Sequence, residues 1–303
     1  MIVAGIDYQA FGSGDPIVCL HGIGGGAESF RDMMAGLPGF RVVSWNMPGY
    51  GQSTAGDWPP SFASLSESLA GFIDALGFKK VHLVGQSIGG MIALEHSLRY
   101  PQQVHSLSLI GTTPAFGGRD DSFKNAFLKA RLSGLNAGQT MNEMAAETAP
   151  RLMGARASQE QVDDVRSILA AVPEATWRGI LECLVTFNRR DDLEKVAVPC
   201  CLIAGSEDQN APPKTMERMA GKLPRSEFHL IEGVGHMINQ EAAEQRSAGP
   251  RRPRTGALPT GRRPKVPHPS ASGRRRPRRR RSARSRHAAR ASGTRRRCRR
   301  RRR

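Results

Sequence analysis

Acidic residues are missing from the last fifth of this 303-residue chain. All 27 Asp and Glu lie within residues 1–246, where 21 Lys and Arg leave the segment mildly acidic. Residues 247–303 hold the other 24 of the 45 basic residues, so the formal charge of +18 describes neither part. Large apolar side chains are missing there too, Leu258 and Val266 being the exceptions. A segment with so little to bury cannot offset an ordering cost of about 1–2 kcal/mol per residue, and disorder is expected over 247–303. It also lacks Phe, Tyr and Trp, the side chains on which bases most often stack. That argues against a specific nucleic-acid partner; the charge suits non-specific, salt-sensitive contact with polyanions.

Cysteine is scarce. The five present (Cys19, Cys183, Cys200, Cys201 and Cys298) are odd in number and form no C-x-x-C pair. No disulfide framework and no metal site is expected, and a reducing, cytoplasmic setting is. No run approaches the roughly 20 apolar residues a spanning helix needs, so no membrane span is expected. The opening "MIVAGIDYQAFGSG" has no basic stretch followed by an apolar one, and we expect no signal peptide.

What is present in residues 1–246 is enough sequence to bury a large core. Short apolar runs alternate with longer segments of helical spacing, the pattern of an α/β fold with a mainly parallel sheet. Strands are expected at Pro16–Leu20, Arg41–Trp45, Lys80–Val84, Val104–Ile110, Cys200–Ala204 and Glu227–Ile231. Helices are expected at Leu65–Leu76, Ile88–Tyr100 and Lys214–Leu223. Between Pro114 and Ala197 the strand pattern stops. Ser158 and Gln161 there make a capping-box pair, Val162, Val165, Ile168, Leu169 and Val172 follow at helical spacing, and Pro173 suits the first turn of a further helix. An all-helical insertion between two core strands is the expectation.

The most informative stretch is "HLVGQSIGGMIALEH". An apolar strand runs into Gly85-Gln86-Ser87-Ile88-Gly89 and a helix follows at once, which is G-x-S-x-G in the strand–turn–helix setting its chemistry requires. A serine at the tip of such a turn is exposed for attack, and the helix N-terminus behind it presents N–H groups to developing negative charge. A serine hydroxyl needs a base, and the base needs an orienting partner. "GSEDQNAPP" after the strand at Cys200–Ala204 offers Asp208, with Glu207 as the alternative acid. "EGVGHM" after the strand at Glu227–Ile231 offers His236, in competition with His21, His82, His96, His105 and His229. Of these, His21 suits bracing the turn that follows it, while the other four sit inside strands or helices. "LHGIGGG" supplies the last element: backbone N–H groups of Ile23 and Ile88 would hold an oxyanion. Met91, Trp177, Phe187 and Met237 are candidates for the substrate pocket, although their spacing suits packing equally. Arg189 and Arg190 in "NRRDDLEK" read as a solvated, self-paired loop. Cys19, Cys200 and Cys201 fit as small core residues.

"HGIGGG", "WNMPGYGQS", "GQSIGG", "GSEDQNAPP" and "GVGHM", in this order and spanning nearly all of residues 1–246, resemble the capped α/β-hydrolase fold family. The look is similar to 3-oxoadipate enol-lactonases and small-molecule esterases. The resemblance implies a sheet of about eight strands. It implies a core made of 1–114 and 198–246, with a helical cap over 115–197. It also implies a triad of Ser87, Asp208 and His236 that works without metal or cofactor. The expected activity is hydrolysis of a small-molecule ester or lactone. Carbon–carbon bond hydrolases and cofactor-free perhydrolases share the triad and stay open as alternatives, as does a nucleic-acid-binding role carried by the basic tail. Dehalogenases and epoxide hydrolases need a carboxylate where Ser87 stands. Asn46 departs from the pattern, since many relatives carry Asp there, and little effect on catalysis is expected. The join is abrupt: "NQEAAEQ" begins a final helix and the apolar spacing then stops, which reads as a reading-frame shift near Arg246 in a GC-rich gene.

Overall fold

The computed structural model describes residues 1–35, 37–117 and 122–242. The expectations for 247–303 and for the join at Arg246 fall outside the described residues. The chain opens with two short strands, β1 (Ile2–Val3) and β2 (Ile6–Phe11). There follow β3 (Asp15–Leu20), α1 (Arg31–Ala35), β4 (Phe40–Trp45), α2 (Phe62–Ala75), β5 (Val81–Gln86), α3 (Ile88–Arg99) and β6 (Val104–Ile110). Four helices come next: α4 (Ser122–Asn136), α5 (Met141–Leu152), α6 (Gln159–Ala170) and α7 (Glu174–Leu184). The chain then returns to the sheet with β7 (Cys200–Gly205), α8 (Pro213–Ala220), β8 (Ser226–Ile231) and the short α9 (Ile238–Glu241).

All eight strands form one sheet in the order β1-β2-β4-β3-β5-β6-β7-β8. β1 and β2 pair antiparallel, as do β2 and β4; every pair from β4–β3 to β7–β8 is parallel. Parallel strands need crossovers, which put helices on both faces and leave the strands apolar on both sides. β3 shows this directly. Val18 and Leu20 join the larger core with Trp45, Leu83 and Leu109, while Ile17 and Cys19 face the second core with Phe30, Met34 and Ile238. The six strands read from the sequence are all present. β1 and β2 escaped that reading because "IV" is too short and "IDYQAF" alternates apolar with polar residues, Ile6, Tyr8 and Ala10 facing the core, rather than forming the continuous apolar run of the covered parallel strands. At the other sheet edge, β8 leaves Leu230 45% exposed.

Helix boundaries follow local chemistry. Ser61 caps α2 by accepting from the Ser64 N–H at 3.0 Å, and Ser158 caps α6 by accepting from Gln161 at 3.2 Å, with the reciprocal bond present in both. α4 to α7 all fall between β6 and β7, where the strand pattern lapsed. Leu135, Met144, Leu169 and Leu181 turn inward from this insertion and join the main core.

Candidate active site

Ser87 sits between β5 and α3 with φ 54° and ψ −121°, a left-handed conformation that few side-chain-bearing residues adopt. Such strain costs about 1–3 kcal/mol and persists where its surroundings fix it. Here the Ser87 N–H donates to Ile110 O at 2.9 Å, and the Thr112 hydroxyl donates to Ser87 O at 2.7 Å. The glycines on either side allow the close approach. A Cβ on Gly85 would stand 2.6 Å from Gly90 Cα, and one on Gly89 would lie 2.7 Å from His21 O.

His236 is fixed at backbone and ring together. Its N–H donates to Leu152 O at 2.6 Å, and its carbonyl accepts from Gln86 Nε2 at 3.0 Å. Its Nδ1 meets Asp208 Oδ2 at 2.8 Å. Asp208 Oδ1 accepts from the N–H groups of Asn210 at 2.8 Å and Ala211 at 2.9 Å. Burial, the largest influence, raises the Asp208 pKa; the contact with His236 and the two N–H donors outweigh it and leave the net value below the usual carboxylate range. Asp208 therefore stays ionised at neutral pH, with its charge turned on the imidazole. Glu207, the alternative acid, points elsewhere: it is exposed and accepts from the Ala155 N–H at 2.8 Å.

A second carboxylate holds the loop that carries His236. Glu241 accepts from Gly235 N–H at 3.0 Å, from Met237 N–H at 3.2 Å and from Gly154 N–H at 2.7 Å. It thus ties the residues on either side of His236 to the turn between α5 and α6 of the helical insertion. Nothing in "GVGHMINQE" points to this role, because Gly154 is far away in sequence.

The turn at Gly22–Gly25 follows β3. The Gly22 carbonyl accepts from His21 Nδ1 at 2.8 Å and from the Gly25 N–H at 3.0 Å. His21 Nε2 in turn accepts from the Met47 N–H at 2.9 Å, which puts the proton on Nδ1. Burial holds the His21 pKa down at about 4, so the ring stays neutral. A trans peptide directs its N–H opposite its carbonyl, and pinning Gly22 O therefore orients the Ile23 N–H. Ile88 is the first residue of α3, where an N–H has no partner within the helix.

Ser87, Ile23 and His236 line one cavity of about 110 Å³, together with Met91, Trp177 and Met237. Leu152, Leu169, Leu181 and Leu184 bring apolar surface to it from α5, α6 and α7. Phe187 corrects the sequence expectation. It is absent from the described lining and packs in the core on Phe62, ring centroids 4.5 Å apart. Arg189 also differs from its reading as part of a self-paired loop. Its guanidinium grips the buried Glu95 carboxylate of α3 through Nε at 2.5 Å and Nη2 at 2.9 Å, and a weaker contact to Asp192 completes it. Asn46 has a physical reason to replace Asp: its Oδ1 accepts from the Ala27 N–H at 2.8 Å while its Nδ2 donates to Asp7 at 2.8 Å. A carboxylate there would face another.

Among the described residues no three His, Cys, Asp or Glu side chains gather as a metal site, and no helix is long and apolar enough to cross a membrane.

The alpha/beta hydrolase fold model matches residues 15–243. The chain is similar to the pimeloyl-[acyl-carrier protein] methyl ester esterase of Aeromonas hydrophila, 26% identical over 239 residues, which cover 76% of this chain and 92% of the esterase. It is also similar to a 2-hydroxy-6-oxononadienedioate/2-hydroxy-6-oxononatrienedioate hydrolase of Paraburkholderia phymatum. There the identity is 28% over 264 residues, covering 79% of this chain and 87% of that one. Among solved structures, a thermophilic esterase from Thermogutta terrifontis superposes with a TM-score of 0.72 at 25% identity, over 80% of this chain and 90% of the esterase.

Proposed function

The chain belongs to the α/β-hydrolase fold family and is a hydrolytic enzyme; within that family we propose that it is a serine hydrolase of small-molecule carboxyl esters or lactones. Ser87 Oγ attacks the carbonyl carbon as His236 Nε2 takes its proton. The carbonyl π electrons move to oxygen, and the N–H groups of Ile23 and Ile88 hold that charge. Collapse of the tetrahedral species expels the alkoxide, which takes the proton from His236. Water then repeats the sequence on the acyl-Ser87 ester, with His236 again as base, and releases the acid and the free serine. Asp208 keeps the imidazole in the tautomer that leaves Nε2 free to accept, and stabilises the imidazolium. Residues 115–197 serve as the cap, setting the shape of the acyl pocket and excluding water.

One observation carries this reading: the 2.8 Å bond between His236 Nδ1 and Asp208, on a ring that shares a cavity with Ser87. The test is turnover of p-nitrophenyl butyrate, with its pre-steady-state burst, by the native protein and by Ser87→Ala. Loss of both burst and turnover is expected. Undiminished turnover in Ser87→Ala would refute the mechanism. A panel of esters, lactones and vinylogous 1,5-diketones separates ester hydrolysis from cleavage of a carbon–carbon bond.

A further inference from the structure

A second, larger cavity of about 660 Å³ adjoins the first, and the two share Thr113, Phe116, Phe127, Arg131 and Asn210 as walls. Arg131, on α4, therefore stands where the chamber holding Ser87 meets the outer vestibule. Its setting differs from that of the ion-paired arginines. Arg178 pairs with Glu174, Arg166 with Asp163, Arg189 with Glu95 and Arg99 with Glu67. Arg131 is half-buried, yet no carboxylate among the described residues faces it. Its Nη2 donates to the neutral Asn210 Oδ1 at 3.0 Å, and its guanidinium lies 5.3 Å from the centre of the Phe127 ring. The neighbouring charge that acts on it is another cation, Arg151, and burial with this repulsion pushes its pKa down.

The described walls of both cavities repeat the imbalance. The vestibule carries Arg190, Arg218 and Lys222 besides Arg131, and neither cavity has an Asp or Glu among its described lining residues. A guanidinium needed for packing alone would be served by its stem on Phe127. Half-burying the charge against a cavity with no counter-ion costs desolvation, and that cost is recovered when an anion enters.

We propose that Arg131 receives a carboxylate on the substrate, remote from the reacting carbonyl, so that half-esters of short dicarboxylic acids are the favoured class. The inner chamber takes the chain that links the two groups, and its apolar lining suits methylenes. The planar fork of the guanidinium matches a carboxylate in two parallel hydrogen bonds. Arg190, Arg218 and Lys222 draw such anions to the mouth, an attraction that salt screens.

This inference rests on the serine hydrolase reading, and the experiment separates the two. The full chain is compared on mono-p-nitrophenyl adipate, 4-carboxyphenyl butyrate and the neutral p-nitrophenyl butyrate, as native protein, Arg131→Met and Arg131→Lys. Methionine keeps an apolar stem on Phe127 and removes the charge. The expected result is that the ratio of kcat/KM for a carboxylated ester over the neutral one falls about 10- to 100-fold in Arg131→Met, through KM, and recovers in part in Arg131→Lys. The two carboxylated esters report whether the anion sits on the acyl or the alcohol side. A native enzyme with no preference for either charged ester, or an unchanged ratio in Arg131→Met, overturns the proposal. Binding of monomethyl adipate to Ser87→Ala, followed by calorimetry with and without Arg131→Met, gives the independent arm. Arg131-dependent binding, with a native protein that hydrolyses no ester, would keep the carboxylate site at Arg131 and overturn both the half-ester substrate class and the serine ester hydrolase reading. Binding that ignores Arg131 would end the inference while leaving the triad intact.

Discussion

Removing the Glu241 side chain should damage stability and catalysis together, because one carboxylate gathers three backbone donors around His236. In Glu241→Ala the N–H groups of Gly154, Gly235 and Met237 lose their acceptor. A buried donor left unpaired costs about 1–3 kcal/mol, and these sites are half-buried, so water restores part of that. The sum is about 3 kcal/mol. Glu241→Gln keeps one carbonyl oxygen as acceptor. Burial, with smaller opposition from the N–H donors, raises the Glu241 pKa, which means the neutral form is well tolerated at this site. Glutamine should therefore cost less than about 1.5 kcal/mol. The sign for pH follows: a carboxyl whose folded pKa is raised holds its proton more tightly folded than unfolded. Its share of stability grows as pH falls through the raised value, so acid does not release this latch. For catalysis, a displacement of about 1 Å at the imidazole costs about 100-fold, and Glu241→Ala should lose 10- to 100-fold in kcat with little change in KM. Urea unfolding at pH 7 and initial rates on one ester measure both. An alanine variant within about 0.5 kcal/mol of the native protein would refute the reasoning. So would a glutamine variant as damaged as the alanine one.

The buried ion pair should be asymmetric. Glu95 is 1% exposed, whereas the Arg189 side chain is 37% exposed. Arg189→Ala strands a carboxylate in the core and should cost about 3–5 kcal/mol, while Glu95→Ala leaves a cation that reaches water and should cost roughly half of that; equal losses by thermal melting would contradict this. Gly89→Ala would force a methyl against the main chain of Leu20 and His21, 2.6 Å from Leu20 C and 2.7 Å from His21 O. It should cost about 3 kcal/mol or prevent folding, and any soluble variant should lose over 100-fold in kcat because β3 and the Ile23 turn move together; a soluble, fully active Gly89→Ala would be the contrary result. Burial holds His21 and His96 at about 4, far below their unfolded value of 6.5. Between those pH values the unfolded chain binds more protons, so stability is lost on acidification, by about 3 kcal/mol for each ring over the whole interval. Urea midpoints that hold steady from pH 7 to pH 4.5 would contradict it.

The sequence by itself determined the period and order of the elements. Apolar strands at Pro16–Leu20 and Val104–Ile110 could be read because strands covered on both faces are continuously apolar. Ser87 could be read because the turn demands glycine at 85 and 89, and both are local constraints on backbone and volume. Asp208 and His236 were legible because each closes a strand at a fixed place in that order, a signal of topology carried in linear form.

Only the tertiary structure decided which side chains meet across loops distant in sequence. Glu241 and Gly154 touch because α9 packs against α6 and the turn before it, and no spacing rule relates them. The same holds for Arg189, whose partner Glu95 lies on α3. Phe187 looked like a pocket residue, since an aromatic at the end of a helix pattern suits a cavity and a core equally; packing on Phe62 chose the core. Arg131 had no signature at all. Its meaning comes from an absence of acids around it among the described residues, and that is a property of three-dimensional neighbours, which a chain acquires when it folds.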